Sequence, residues 1–512
     1  QNKILLDGMT IYNPFHSIGF FSIFETELVQ STSIFTGGFD AKYGGRISSI
    51  MDITYRDGNK KKFGGKISAS PFLAKVALEG PLSRTKGGKE SAGSYIFSAK
   101  HSLLDYTSES LYTRVNDGEG MPFSFTDLYG KLTFKGKGGS KFSGFGLHNI
   151  DQVNYDIANI NWTQSGGGIN FLLVPSSSPI FIKGHVNGSR FQTEFSEFSS
   201  PTDSIYRYSS IGGFDLGFDF IYFLKNESEL DYGINLNGFS TRYETVNELD
   251  QKIEDQNFTT EIGVYMSYKY VSPRLVIKPS FRAQMYASMG TVSPEPRLGI
   301  KFNATEKLRL KASGGRFSQN FTSASSDKDV VNLFNGLLSA PSNVQQNFVT
   351  YYQNEKQPKN GLQYAWHAIG GFEYDLTKKL SLNVEGYYKY FSQLSNINQN
   401  KIYPDNSEFS SVDDIFKKEF ILENGVSKGA DVLVKYSGQR LFLWAVYSYG
   451  QSFRWDGDTT YTPVFDRRHN VNLVGTYVFG KKKDLEVSIR WNFGSGLPFT
   501  PTAGFYESDP FA

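Results

Sequence analysis

The residues able to do chemistry are few and scattered. The chain of 512 residues has six histidines and no cysteine, so disulfides and thiolate metal sites are excluded. Asp466-Arg467-Arg468-His469 sets an acid beside a histidine. No G-x-S-x-G turn, H-E-x-x-H helix or phosphate loop accompanies it. It stands just before an alternating stretch from Val471, where it suits the hydrogen-bonded entry to a strand. An enzyme would need Ser, His and Asp, or carboxylates, in register on neighbouring strands, and no such grouping is found. The chemistry that remains is recognition. Tyr12, Asn13, Phe15 and His16 lie in an aromatic loop, IYNPFHSIGFFSIF, and can stack against or hydrogen-bond a partner. His16 alone makes no metal centre, which needs several convergent ligands. Arg46 follows the glycine pair Gly44-Gly45 and can meet a carboxylate. No catalytic residue, cofactor or metal is expected.

These residues belong to a small module at the head of the chain. ILLDG (4–8) reads as a buried strand ending in an Asp-Gly turn, and 25–31 as a short helix or turn. In 35–53, FTGGFDAKYGGRISSIMDI, two glycine pairs mark tight turns or close backbone approach before a strand at 47–54. About 55 residues of this kind form an α+β unit too small to be stable alone.

From about residue 63 the pattern has a period of two. Leu485, Val487, Ile489, Trp491 and Phe493 alternate with Glu486, Ser488, Arg490 and Asn492. Leu380, Leu382, Val384, Gly386 and Tyr388 alternate with Ser381, Asn383, Glu385 and Tyr387. Such runs are about 9–13 residues long, as tilted membrane-crossing strands are. They number roughly 19 between 63 and 494, with aromatic residues clustered near their ends. Short connections such as 225–227, 303–306, 377–379 and 480–484 alternate with long polar ones at about 241–258, 318–363, 392–427 and 451–468. The expected fold is all-β: a transmembrane antiparallel β-barrel with an apolar outside, a polar lumen and long loops at one end. A mean hydropathy of −0.37 fits, because only alternate residues face lipid. No apolar run reaches the roughly 18 residues of a membrane helix. A soluble propeller would repeat every 40–50 residues or so, and no such repeat is seen. The charge of +2 argues against a nucleic-acid partner.

With these motifs in hand, Leu6-Asp7-Gly8, Gly37-Gly38, Tyr43-Gly44-Gly45 and the strand from Ile47 to Ile53 resemble the plug domain of TonB-dependent outer-membrane receptors, in the Bacteroidetes form. SPEPRLGIKFNATEKLRLKASGGRFSQN (293–320) and FDRRHNVNLVGTYVFG (465–480) resemble barrel segments of the same group. The resemblance covers nearly the whole chain. It implies that 1–58 is the C-terminal part of a plug inside the lumen and 59–512 a barrel of a type with about 22 strands. On this reading the chain is a fragment: the first half of the plug, the TonB box and about three C-terminal strands are absent, and 497–512 begins an external loop.

The resemblance further implies a bacterial outer-membrane receptor, crossing the membrane many times, that binds a scarce ligand and imports it when TonB, with ExbB and ExbD, moves the plug. The ligand class stays open among siderophores, vitamins, glycans and peptides, and a surface lipoprotein lid is a further possible partner. Tyr12, Asn13, Phe15 and His16 would form the apical plug loop facing the ligand, or pack against the wall. Arg46 would lock the plug to a lumen-facing glutamate, Glu385 or Glu486, or stay solvated. A passive channel, or a structural subunit of a larger outer-membrane complex built on the same scaffold, is the alternative function.

Overall fold

In a computed structural model, residues 2–498 are described apart from 17–18, 84–90, 115, 157, 201–202, 247–251, 324–335, 340–342, 351–353, 359 and 399–400. Parts of the expected loops at 241–258, 318–363 and 392–427, and nearly all of 497–512, lie outside the described residues.

The head module is a four-stranded sheet in the order β2-β1-β6-β5. Strands β1 (Lys3–Leu6) and β2 (Met9–Ile11) are joined through Asp7-Gly8, both at positive φ (49° and 86°), as a two-residue hairpin turn requires. A small hairpin of β3 (Phe15–His16) and β4 (Phe21–Ser22) stands apart from this sheet. Strand β5 (Val29–Phe35) then pairs antiparallel with β6 (Ile50–Tyr55), which lies parallel to β1. The stretch read as a helix or turn at 25–31 is a turn running into β5. Between β5 and β6 the chain makes a long glycine-rich loop, 36–49.

This sheet has no core of its own. Its alternation sends Leu6, Met9, Ile11 and Ile53 against Ile96, Tyr129, Phe145 and Leu147 of one wall. Leu5, Phe39, Ile47 and Ile50 pack against Phe317, Ala365, Phe391 and Leu394 of the other. The surrounding barrel supplies the packing that so short a module lacks.

The barrel has about nineteen long strands, from Gly64–Ala69 to Leu485–Gly494, each paired antiparallel with its neighbour in chain order. Their outward residues, such as Leu128, Leu132, Phe214, Phe218, Leu298, Val434 and Leu473, form an exposed apolar belt of the kind that only lipid covers without cost. No helix is long and apolar enough to cross a membrane. One end carries short turns (136–140, 174–179, 304–307, 376–379, 438–440), and the other the long connections 103–122, 320–362, 398–419 and 456–468. The ring order returns from the last strand to the first, yet among the described residues no register joins them. All ten residues of Leu485–Gly494 are exposed.

Two expectations are corrected. The strands Ile180–Ser200 and Asp203–Phe223 have 21 residues each, and Lys252–Val271 has 20. Much of the expected loop 241–258 is therefore strand rising past the apolar belt. The lumen is also not polar throughout. Towards the long-loop end, Phe123, Val153, Ile160, Trp162, Phe191, Phe195 and Ile211 turn inward and bury Phe321 and Leu337 of the long connection, with Tyr12 and Phe21 of the head module against them.

Candidate functional site

The contact between the head module and the wall is the candidate site, and its centre is the loop 36–49. Two inward-facing arginines grip this loop by its backbone. Arg297 donates through Nη1 to the carbonyls of Phe39 (3.0 Å), Asp40 (2.6 Å) and Tyr43 (2.8 Å), and its Nη2 is 2.7 Å from Glu295. Arg282 donates to the carbonyls of Ala41 (3.0 Å) and Lys42 (3.2 Å). Lys389 donates to the carbonyls of Thr36 and Ser48. His367 donates from Nε2 to the carbonyl of Ile47 (3.0 Å) and accepts the Gly38 N–H at Nδ1 (3.3 Å), which fixes a neutral tautomer. The Asp40 carboxylate is held by Lys278 and, at 3.4 Å, by Ser267.

This grip explains the glycines. A Cβ on Gly44 would fall on the Arg282 guanidinium, and one on Gly38, at φ +57°, on the Ser313 side chain. Gly45, at φ +72°, would bring a Cβ within 2.7 Å of Glu261. The pairs serve both the turn and the close approach of wall side chains.

Arg46 is buried, with neither Glu385 nor Glu486 as its partner. Its Nη1 donates to the Gly45 carbonyl (2.6 Å) and its guanidinium lies 4.8 Å from the Phe321 ring centre. The acid facing it is Glu261, across a cavity of about 40 Å³ that Tyr12, Lys3, Asn187 and Asp215 also line. Glu261 is in turn linked through Gln284 to Arg282. Glu385 borders a separate cavity with Lys278 and Lys311, and Glu486 sits on the exposed last strand. Alternation picked Glu385 and Glu486 and not Glu261. It does not say at what height the loop meets the wall.

The aromatic loop divides between two surroundings. The backbone N–H groups of Tyr12 and Asn13 both donate to Gln164 Oε1 (3.1 and 3.2 Å), and Phe15 is exposed. His16 does not face open space: it is 1% exposed and stacks on Phe125 at 4.2 Å. Its Nε2 is 2.8 and 2.9 Å from the two oxygens of Asp127, and its Nδ1 is 3.4 Å from Asp151. Both nitrogens face carboxylates, so the doubly protonated ring fits this site. Burial disfavours the charge, but the hydrogen bonds to Asp127 and Asp151 outweigh it, and the pKa lies above the ordinary 6.5. Lys100 completes the cluster, 2.7 Å from Asp127 and 2.9 Å from the Ser22 carbonyl. The hairpin β3–β4 is thus fastened to the wall by buried ions.

A second fastening was not singled out from sequence. Asp7, in the turn between β1 and β2, accepts from Lys131 Nζ (2.9 Å) and Tyr129 OH (2.6 Å), and Asn170 donates to its carbonyl (2.6 Å). Lys131 and Tyr129 share a face with Asp127 by alternation, which was the available signal. Between the module and the wall lies a polar cavity of about 580 Å³, bordered by Lys3, Asp7, Lys42, Lys131, Lys183 and Arg282 among others. Asp466 accepts from the Ser452 N–H (2.7 Å) and Arg468 Nε (2.5 Å), while His469 bonds Tyr447. This is the strand-entry role read from sequence.

No protein-family model and no curated protein sequence matches the chain. Solved structures do. The FrpB iron transporter of Neisseria meningitidis has a TM-score of 0.67 at 14% identity, covering 96% of this chain and 78% of that one. The hemophore receptor HasR of Serratia marcescens, solved with its hemophore HasA and heme, has a TM-score of 0.67 at 10% identity, covering 97% and 84%. The alcaligin outer-membrane receptor FauA of Bordetella pertussis has a TM-score of 0.63 at 11% identity, covering 96% and 79%. At these identities the likeness establishes the fold alone: a large antiparallel β-barrel like those of outer-membrane receptors, here with the head module packed against the inner side of its wall.

Proposed function

We propose that the protein is a TonB-dependent outer-membrane receptor that binds a scarce extracellular ligand at its long-loop end and imports it into the periplasm by energy-coupled movement of the plug. The observation that carries this reading is the way the plug is held. It has no core of its own, and the wall grips loop 36–49 through at least seven carbonyls by side-chain hydrogen bonds. Such an element is secure at rest and separable under force without unfolding the barrel. The polar cavity of about 580 Å³ beside it is a ready start for a path. The fold shared with an iron transporter and with siderophore and hemophore receptors supports transport over a passive pore.

TonB, driven through ExbB and ExbD, is the energy-coupling partner, and a surface lipoprotein lid is compatible with the long-loop end. The test is growth of a strain carrying this gene as its sole receptor, under iron, vitamin and glycan limitation, with and without TonB. Growth on one limiting nutrient that disappears without TonB supports the reading. Growth that depends on the gene but not on TonB makes the protein a passive channel.

A further inference from the structure

The net charge of +2 is not spread evenly along the barrel axis. Antiparallel strands return to the same end at every second connection, so the turns 225–227, 272–274 and 480–484 lie at the short-turn end with those already named. An exposed Lys or Arg stands on each fully described turn at this end except 174–179: Lys137, Lys225, Arg274, Lys307, Lys379 and Arg440, then three together at 481–483. The exposed acids on these turns are Glu227, Glu306 and Asp484. The turns 136–140, 272–274, 376–379 and 438–440 carry no acid at all. The opposite end has the opposite bias. Among the described residues, 103–122 exposes Glu109 and Glu119 against Arg114, and 398–419 exposes Asp405, Glu408, Asp413 and Glu419 against Lys401.

The bases follow the circumference. They run from 136–140 round to 480–484 and are not confined to one sector of the barrel. They also stand at the edge of the apolar belt. Exposed Phe134 and Phe142 flank the first of these turns, Leu224 precedes Lys225, Leu376 stands just before Lys379, and Phe479 and Leu485 flank the last. At about 3.3 Å of rise per residue the charged heads lie within roughly 10 Å of the belt, which places them in the headgroup layer of a bilayer. Lysine suits that position, because its stem covers apolar surface while its ammonium reaches polar groups.

The distribution decides the kind of partner. A soluble protein docks on one patch and would leave most of such a ring unused. A bilayer leaflet surrounds the barrel and meets every turn at once. Anionic headgroups supply the missing opposite charge, and a polybasic surface gains attraction from each base near them.

We propose that this basic ring is a binding surface for anionic phospholipid headgroups in the leaflet at the short-turn end. It anchors that end of the barrel in the headgroup layer, while the acidic connections face the other side. The inference rests on the barrel crossing a membrane and is independent of transport.

The test gives the purified full chain, in neutral detergent, an equimolar mixture of phosphatidylglycerol and phosphatidylcholine, and counts bound lipids by native mass spectrometry. Both lipids carry a phosphate, so the comparison reads net charge. Phosphatidylglycerol is expected to be retained about two- to fivefold over phosphatidylcholine, with the preference shrinking at high salt. In the combined variant Lys225→Gln/Lys307→Gln/Lys379→Gln/Lys482→Gln, all at exposed turn positions, the preference should fall to about half or less. Arg114→Glu/Lys401→Glu changes the net charge equally but at the opposite end, and should keep it. Equal retention of the two lipids by the native chain overturns the proposal and leaves the ring to an acidic soluble partner. A preference that survives the turn substitutions, or that the opposite-end variant also loses, overturns it too. No nutrient or energy source enters the measurement, so its failure and the failure of the growth test are distinguishable.

Discussion

Arg297 is the side chain on which the plug grip depends most. It makes three hydrogen bonds to plug carbonyls while paired with Glu295. Arg297→Gln removes the charge-assisted bonds and leaves Glu295 buried without its partner, at a local cost of about 3 kcal/mol. Amide exchange in 38–46 should then rise roughly a hundredfold, with greater sensitivity of cells to a bulky antibiotic. Unchanged exchange would mean that the grip lies elsewhere. The glycines offer a companion comparison. Gly44→Ala drives a Cβ into Arg282, whereas Gly130, in a strand, has nothing within 4 Å of such a Cβ. Thermal melts should show a loss of about 1–3 kcal/mol for the first and little change for the second.

Arg46 marks the limit of sequence reading at this scale. The sequence left it either paired with Glu385 or Glu486 or solvated, whereas it is buried and faces Glu261. That the acid is Glu261 depends on the course of loop 36–49 against six strands, which no local pattern encodes. Arg282 was legible as inward-facing, but its acceptors are carbonyls, and these carry no side-chain signature.

The hairpin β3–β4 is where pH enters. The His16 pKa is raised above its ordinary 6.5, so the fastening is complete below about pH 6.5 and is lost as pH rises through the raised value. The charges around it, Asp127, Asp151 and Lys100, sum with the protonated ring to zero, and deprotonation leaves one negative charge buried. Protection factors at 19–24, with the intrinsic base-catalysed rate divided out, should therefore fall on the alkaline side, and His16→Gln should remove that dependence. A pH-independent hairpin in the native chain would show that His16 is neutral there.

Element boundaries were legible where the hydrophobic alternation is clean and illegible where it stops. The turns at 225–227, 303–306 and 377–379 were read from sequence because apolar residues resume at once on each side. The upper reaches of Glu229–Val246 and Lys252–Val271 were taken as loop because polar side chains fall on both faces there, which erases the period-two contrast while leaving the backbone pairing intact. The same logic applies to the plug: its strands show in the sequence, but their packing partners are wall residues hundreds of positions away. A peptide of residues 2–58 should accordingly show no cooperative thermal transition by circular dichroism.

At the scale of the whole molecule, the proposed function makes the barrel the fixed part and the plug the movable one. The class of architecture was evident from alternation, composition and connection lengths together. What remained hidden was that the lumen is apolar near the long-loop end, where Phe123 and Phe125 share the inward face with Asp127, Tyr129 and Lys131. The lumen is graded from aromatic at the long-loop end to ionic below.

The central claim is that the plug must move for function. The chain contains no cysteine, so an introduced pair can be its only disulfide. Asp40 and Ser267 bring plug and wall side-chain oxygens to 3.4 Å, so thiols placed there face each other across the contact. The decisive measurement is TonB-dependent uptake by Asp40→Cys/Ser267→Cys cells, oxidised and then reduced, with each single variant as control. The account predicts that oxidation abolishes uptake while surface binding persists, and that reduction restores it. Undiminished uptake through the oxidised tether would contradict it.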